Sequence, residues 1–328
     1  MDQRELLLSI FQHALAAVHG RARVRSTLER LAPQGAWRVI AVGKAASSMT
    51  LGALDALGAR VTQALVVTKD GHVDAELRAR RDLTMLETGH PVPDARSLAA
   101  GAALLDTIAA TPRTESLLFL VSGGASSLIE APAPGVSLEQ LGEFNRWALA
   151  SGRDIRVVNA LRQRLSAIKG GRLAGAIGER RVLGLFISDV PGNDPGLIGS
   201  GLLGSPLRDD IPEDLPPWVR SLAQAAPARD TPDCPHIERH VIATLEDAVA
   251  AVRQIATAQG LTVRADETRF DGDAVELANR FCHELALGPA QLCVWGGEST
   301  VHLPVAPGNG GRNQHLALAA ARLLVSHE

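Results

Sequence analysis

Short apolar segments alternate along this chain with longer segments rich in alanine and leucine, and the alternation limits the possible folds more than any other feature. The apolar segments of the first two thirds are residues 37–43, 64–69, 116–122 and 181–189. Helix-like segments lie at 44–56, 94–110, 137–150 and 154–169. Apolar strands joined by crossover helices are typical of a parallel sheet that is covered on both faces. The pattern therefore predicts an α/β fold.

A segment rich in proline and charge, residues 204–233, interrupts this pattern and is the predicted linker between two domains. A second series of apolar segments follows it, at 240–244, 261–266, 291–297 and 299–304. The helices predicted in that part lie at 245–259, at 272–286 and from about residue 311. Since 328 residues exceed one ordinary core, we expect two domains, residues 1–232 and 233–328.

Composition argues against several classes of partner. The net charge is -3 and aromatic residues make up 3% of the chain, with no tyrosine, so neither a basic surface nor a stacking platform for nucleic acid is expected. Gln12 and His13 interrupt the apolar run near the N-terminus, which favours an amphipathic helix over a signal peptide. No later segment has the uncharged length of a membrane span. We expect a cytoplasmic protein that binds neither nucleic acid nor membranes.

Two segments that follow predicted strands carry groups suited to phosphate. Lys44 comes after the first strand, and Ser122-Gly123-Gly124 comes after the third. In parallel α/β folds ligands bind at the carboxyl ends of strands, where an ammonium group and unobstructed glycine amides can hold an anion. A solvated lysine is the alternative interpretation of Lys44, and a lone Gly-Gly pair by itself is weak evidence of an anion site. Neither GxGxxG nor a complete Walker A sequence is present.

The segment after the fourth predicted strand contains Asp189 and Asp194 on either side of a Pro-Gly turn. Two such carboxylates could share a metal ion or activate a hydroxyl group, although aspartates are also common in ordinary turns. His90 precedes a proline in "GHPVPD", and this position favours a satisfied structural histidine over a catalytic one.

The helix predicted over 154–169 has a polar face. Asn159, Arg162 and Ser166 lie at i, i+3 and i+7, a set that could bind a small carboxylate. A solvated helix face is the commoner interpretation of such a pattern. Lys169 and two glycines follow at the end of the helix and add a cation and a tight turn.

A glycine-rich loop, residues 307–311, precedes the last predicted helix. The first turn of that helix carries Arg312, Asn313 and Gln314. An arginine at a helix N-terminus opposes the helix dipole, so a bound anion would explain it. The alternative is a flexible loop with an exposed arginine.

Several ordered motifs resemble the glycerate 2-kinase family that carries a MOFRL domain, whose members were often labelled hydroxypyruvate reductase. They are "VGKAASSM", "GHPVPDARSLAAG", "SGGASSLIEAPAPG", "NALRQRLSAIKGGRLA", "SDVPGNDPGLIGSG" and "WGGESTVHLPVAPGNGGRNQHLAL". The resemblance covers nearly the whole chain and implies a Rossmann-like N-terminal domain with a smaller α/β domain after it. Family sequences continue beyond the last motif, so the MOFRL-type domain, residues 233–328, is expected to be incomplete.

The resemblance also implies ATP-dependent phosphorylation of D-glycerate to 2-phosphoglycerate with Mg²⁺ in an interdomain cleft. The implied catalytic residues are Lys44, Arg312 and Asp189. The implied nucleotide-binding residues are Ser122, Gly123, Gly124, Ser126, Gly297, Glu298, Gly310, Gly311 and Asn313. Glycerate would contact Asn159, Arg162, Ser166 and Lys169, and the metal would contact Asp189 and Asp194.

Two alternatives to the kinase stay open. One is an NAD(P)H-dependent hydroxypyruvate reductase, which the missing GxGxxG and the missing acidic ribose-binding residue disfavour. The other is a catalytically impaired relative that binds ligand or associates with itself. Apolar residues of the last helix, Leu316, Ala319, Ala320 and Leu323, would then support a homodimer.

Overall fold

The computed structural model describes residues 2–204, 207, 212–227, 237–266, 268–302 and 308–325. The chain divides into two compact units, a larger one formed by His19–Thr244 and a smaller one formed by Met1–Val18 together with Leu245–Glu328. Within the described ranges, no helix combines the length and the apolar character needed to cross a membrane.

A six-stranded parallel sheet forms the centre of the larger unit. Its strands are β1 (Trp37–Val42), β2 (Val61–Lys69), β3 (Thr84–Thr88), β4 (Ser116–Val121), β5 (Val182–Ile187) and β6 (Ile237–Ala243). The strand order is β3-β2-β1-β4-β5-β6, the order of the Rossmann fold, which reverses between β1 and β4. Val42 pairs with Val121 there, so both strands end at the same level and open a crevice for a ligand.

Helices cover both faces of this sheet. The helices of the larger unit are α2 (Gly20–Leu31), α3 (Ala46–Leu57), α4 (Ala75–Arg78), α5 (Ala95–Ala110), α6 (Ala125–Leu128), α7 (Leu138–Ala150), α8 (Ile155–Arg164), α9 (Leu173–Ile177) and α10 (Pro217–Ala225). Of these, α7, α8 and α10 pack against one another in a separate core. Ile40 and Val42 pack into one core, whereas Val39 and Ala41 pack into the other, because successive strand residues point to opposite faces.

The smaller unit is less deeply packed. Its helices are α1 (Gln3–Ala17), α11 (Leu245–Ala258), α12 (Ala274–Leu287) and α13 (Arg312–Val325). Its strands, β7 (Val263–Ala265), β8 (Phe270–Asp273), β9 (Leu292–Val294) and β10 (Gly297–Thr300), form two parallel pairs, β7 with β9 and β8 with β10. Ile10 and Ala14 of α1 pack against Val252 and Ala256 of α11. Helix α13 contributes no buried residue.

The structure confirms the predicted α/β fold, but the units do not divide at the predicted boundary of 232/233. Strand β6 completes the larger sheet by pairing with β5, and α1 packs in the smaller unit. Both are contacts between distant segments, which local periodicity does not reveal. The predicted linker also contains α10, whose Val219 and Leu222 are buried beside α7 and α8.

Some predicted segments cannot be compared with the structure. Residues 205–206, 208–211, 228–233 and 303–304, together with Pro307, lie outside the described residues.

Candidate active site

The carboxyl ends of β1 and β4 are joined by hydrogen bonds into one junction. The backbone N–H of Lys44 donates to the Gly123 carbonyl at 2.9 Å, and that of Ala45 donates to Ser122 Oγ at 3.0 Å. A Cβ atom at residue 43 would lie 2.2 Å from Ser122 Oγ, so this approach requires Gly43. The Ser122 hydroxyl therefore holds the junction together, and its predicted nucleotide contact stays a prediction.

Two glycine amides and one ammonium group remain open at this junction. The N–H groups of Gly123 and Gly124 donate to no described residue, and the exposed Lys44 forms no ion pair within the described ranges. Lys44 Cε lies 3.3 Å from the place that a Cβ atom of Gly124 would occupy. We call this place beside Gly124 the phosphate recess, because amide hydrogens together with an ammonium group suit a phosphate group.

Asp189 reaches the same glycine turn from the end of β5. A Cβ atom at Gly123 would lie only 2.1 Å from Asp189 Oδ2, so the carboxylate occupies the space that a side chain at 123 would need. Asp194, by contrast, accepts the N–H of Gly196 at 2.7 Å, as in an ordinary aspartate turn. Among the described residues there is no group of three or more His, Cys, Asp or Glu side chains placed to hold a metal ion.

A chain of polar side chains leads from the glycine turn into α8 and α7. Ser126 Oγ lies 2.8 Å from Ser200 Oγ, which donates to Asn159 Oδ1 at 3.0 Å. Arg162 donates to Asn159 at 3.4 Å and to Asn145 Oδ1 at 3.3 Å. Since Asn159 is buried and Arg162 half-buried, the interpretation of this helix face as solvated is wrong.

A buried ion pair lies beside this chain. The Lys169 ammonium contacts the Glu130 carboxylate and donates to the Ser126 carbonyl at 2.7 Å, while the Lys169 side chain is 1% exposed. Ser166 Oγ donates to Glu130 Oε1 at 2.5 Å. Burial lowers the pKa of Lys169, and the Glu130 charge opposes that shift. The predicted direct contacts of Lys169 and Ser166 with substrate are therefore corrected to internal ones.

The sequence analysis did not predict Glu130 as a site residue, although the composition of its segment indicates it. It is a single carboxylate in the otherwise uncharged segment "SSLIEAPAP". A buried carboxylate destabilises the fold unless it is paired with a cation. A carboxylate in so apolar a segment therefore predicts a cationic partner elsewhere in the chain. Lys169 is that cation, and the two are joined only in the tertiary structure.

His90 also lies at this junction, on the loop that follows β3. Its Nε2 atom is 3.2 Å from the place that a Cβ atom of Gly124 would occupy. Its ring makes no hydrogen bond with the described part of the chain, so the expectation of a satisfied structural histidine is wrong. Burial, together with the charges of Lys44, Lys69 and His72, lowers the pKa of His90 to about 4.

Arg312 and Glu298, both predicted site residues of the smaller unit, form an ion pair with each other. Arg312 is the first residue of α13 and Glu298 lies in β10, and their side chains are 48% and 53% exposed. A carboxylate from the same unit thus explains an arginine at a helix N-terminus without a bound anion.

The glycines predicted to bind nucleotide in the smaller unit have local structural contacts. A Cβ atom at Gly297 would lie 2.1 Å from the Phe270 carbonyl oxygen, so strand pairing requires a glycine there, in β10 and not in a loop. The N–H of Gly311 donates to Gln314 Oε1 at 3.0 Å, and a Cβ atom at Gly310 would lie 2.8 Å from the same oxygen. Asn313 lines a cavity of about 550 Å³ next to Phe281 and Trp295.

Comparison with known proteins gives consistent matches over the chain. The family described as "Domain of unknown function (DUF4147)" matches residues 6–208. The D-glycerate 2-kinase of Thermotoga maritima is 33% identical, over 97% of this chain and 78% of the relative. A protein of Agrobacterium vitis, provisionally named a hydroxypyruvate reductase, is 35% identical over 86% of this chain and 77% of its own length. The crystal structure of glycerate kinase from Thermotoga maritima matches with a TM-score of 0.80 at 30% identity, over 98% of this chain and 80% of that one.

Proposed function

The chain belongs to the glycerate 2-kinase family that carries the DUF4147 domain, and we propose that it transfers the γ-phosphoryl group of ATP to D-glycerate, forming 2-phosphoglycerate and ADP. The observation that carries the proposal is the junction of β1 and β4, where Lys44 and the open amides of Gly123 and Gly124 face one recess. Phosphoryl transfer depends mainly on positioning and on charge neutralisation, which these groups supply.

Lys44 and the glycine amides would bind the phosphate oxygens. The ammonium group would offset the negative charge of the transferring group, and the amides would hold its oxygens in place. The backbone N–H of Lys44 is hydrogen-bonded to Gly123 in the turn after β4, so little reorganisation is required when the nucleotide binds.

A magnesium ion would enter with the nucleotide and contact Asp189. Mg²⁺ is commonly held by one or two carboxylates together with substrate phosphates, and Asp189 presents its carboxylate directly against Gly123 of the phosphate recess. The ion would neutralise charge on the β- and γ-phosphates. Asp194 stays a second predicted metal ligand, and one of its oxygens accepts the N–H of Gly196.

Arg162 would bind the carboxylate of glycerate. Its guanidinium group is held by Asn145 and Asn159 and keeps donors beyond those two bonds, since it carries five N–H groups. Ser126 links this part of the site to the phosphate recess through its hydroxyl and carbonyl groups. The buried pair of Lys169 and Glu130 would then fix Ser126 without touching the substrate.

Arg312 stays a prediction as a second catalytic cation, together with Glu298, Gly310, Gly311 and Asn313 as nucleotide contacts. An exposed ion pair such as Arg312 with Glu298 contributes little to stability. Its carboxylate partner could therefore be exchanged for a phosphate group at small cost.

Parallel enzyme assays test this function. The full chain is incubated with ATP, Mg²⁺ and D-glycerate, and ADP release is measured; ³¹P NMR of the product separates 2-phosphoglycerate from 3-phosphoglycerate. The same preparation is tested for NADH or NADPH oxidation with hydroxypyruvate. We expect glycerate-dependent ADP release and 2-phosphoglycerate. Oxidation of the nicotinamide cofactor without ADP release would replace the kinase with the reductase.

A further inference from the structure

The loop that carries His90 is anchored at both ends. Thr88, the last residue of β3, donates its hydroxyl to the Leu128 carbonyl at the end of α6, at 2.8 Å. Asp94 caps α5 by accepting the N–H groups of Arg96 and Ser97, and its carboxylate lies so close to Gly89 that a Cβ atom there would be 2.8 Å from Asp94 Oδ2. His90 is therefore held in a defined position by contacts that do not involve its ring.

The imidazole of His90 faces the phosphate recess. His90 Nε2 and Lys44 Cε both lie within 3.3 Å of one point, the place where a Cβ atom of Gly124 would be. The ring and the lysine chain thus flank a glycine whose amide is open. A hydroxyl group that attacks a phosphorus atom held by Lys44 and these amides would pass beside His90.

The imidazole is available as a proton acceptor at neutral pH. Burial is the main cause that lowers its pKa to about 4, and the charges of Lys44, Lys69 and His72 act in the same direction. The lowered pKa keeps the ring neutral at pH 7, and a weak base suffices for this role in protein kinases, where an aspartate accepts the substrate proton. At pH 7 His90 is neutral, and a ring nitrogen is free to accept a hydrogen bond.

We propose that His90 is a catalytic residue whose Nε2 atom accepts the proton of the glycerate 2-hydroxyl as its oxygen attacks the γ-phosphorus of ATP. This inference rests on the proposed function. The O–H bond breaks and an O–P bond forms, while the bond between the γ-phosphorus and the bridging oxygen breaks and leaves its electron pair on ADP. The proton resides on the imidazole and then passes to water.

Three variants of the full-length chain test the proposal. His90→Ala removes the base and leaves a space that free imidazole can enter. His90→Gln keeps the volume and a hydrogen-bond acceptor but cannot take up the proton at neutral pH. His72→Ala is the matched control, because His72 is an exposed histidine whose backbone N–H donates to the Lys69 carbonyl. Turnover, the KM for each substrate and the melting temperature are measured for all three, with and without added imidazole.

We expect both His90 variants to lose about 10²-fold in kcat, the lower range for general base catalysis, with the KM for ATP within about threefold of the wild type. Added imidazole should raise the kcat of His90→Ala at least about tenfold and leave His90→Gln and His72→Ala unchanged. If His90→Ala does not fold, the kcat of His90→Gln alone tests whether His90 is the base.

Two results would overturn the proposal. One is a His90→Gln variant that keeps kcat within about threefold of the wild type. The other is a folded His90→Ala variant that imidazole does not rescue. Both results differ from a failure of the proposed function, in which the wild-type chain itself releases no ADP with glycerate. That failure would overturn the kinase function and the role of His90 together.

Discussion

Lys44 and Arg312, the two cations predicted to bind phosphate, lie in surroundings of different rigidity. Lys44 stands on a junction between β1 and β4 that backbone hydrogen bonds hold together, next to a fully buried ion pair. Arg312 begins a helix that has no buried residue, and its partner Glu298 is as exposed as Arg312 itself. Similar sequence signals, a cation beside glycines at the start of a predicted helix, thus correspond to a preorganised group in one unit and an exposed pair in the other.

Removal of Glu130 is expected to give the largest effect, because it leaves the Lys169 ammonium buried without its counter-charge. Glu130→Ala should lower the free energy of unfolding by about 3–5 kcal/mol. The larger unit should therefore unfold at a clearly lower denaturant concentration, which circular dichroism in a urea titration measures.

The double variant Glu130→Met/Lys169→Met is the control for this loss. Replacing both charges with apolar groups avoids an unpaired buried charge, so the double variant should be more stable than either single variant. A Glu130→Ala protein with wild-type stability would show that the pair is not buried in solution, and the contrast between the two units would lose its basis.

Lys44→Ala is expected to abolish most turnover while the fold stays intact. The side chain is exposed and makes no ion pair with described residues, so its loss should leave the melting temperature nearly unchanged. Without the cation kcat should fall by about 10²-fold or more. Lys69→Ala, at the end of the neighbouring strand β2, is the matched control and should retain most of its activity. Near-normal ADP release by Lys44→Ala would refute the phosphate assignment.

The sequence predicted well what depends on local pattern and poorly what depends on distant contacts. Strands β1 and β4 are apolar apart from Arg38 and Ser116, so the positions of Lys44 and Gly123 at strand ends could be deduced. Strand β3 was missed because only Thr88 at its end is buried. The ion pair of Glu130 with Lys169 joins residues 39 apart in sequence, and local sequence patterns do not predict contacts at that separation.

The role of each predicted site residue was harder to deduce than its position. Ser122 was grouped with Gly123 and Gly124, but its hydroxyl accepts the N–H of Ala45, a bond that exists only once β1 and β4 are neighbours. The proline after His90 predicts a structural histidine, whereas the ring makes no hydrogen bond with the described residues. Its ring faces Gly124 only because β3 takes the edge position and its end is tied to Leu128.

Arg162→Met is expected to affect substrate binding more than turnover. The methionine keeps much of the aliphatic length and removes the charge that would pair with the glycerate carboxylate. We expect the KM for glycerate to rise by about tenfold, which corresponds to about 1.4 kcal/mol, with a smaller change in the KM for ATP. Equal changes for both substrates, or none, would assign Arg162 a structural role between α7 and α8.

The pair of Arg312 and Glu298 should give the smallest effect on stability. Both side chains are about half exposed, so water and salt screen their attraction and holding two long side chains together costs entropy. A double-mutant cycle with Arg312→Ala and Glu298→Gln should therefore yield a coupling free energy of about 0.2–1 kcal/mol that declines as salt is added. Because the pair is so weakly held, Arg312→Ala can lower turnover without lowering the melting temperature, and an activity loss in that variant would report on catalysis alone. A coupling free energy above about 2 kcal/mol that salt does not alter would show that this pair behaves like the buried pair of Glu130 and Lys169. Arg312 would then be held as rigidly as Lys44.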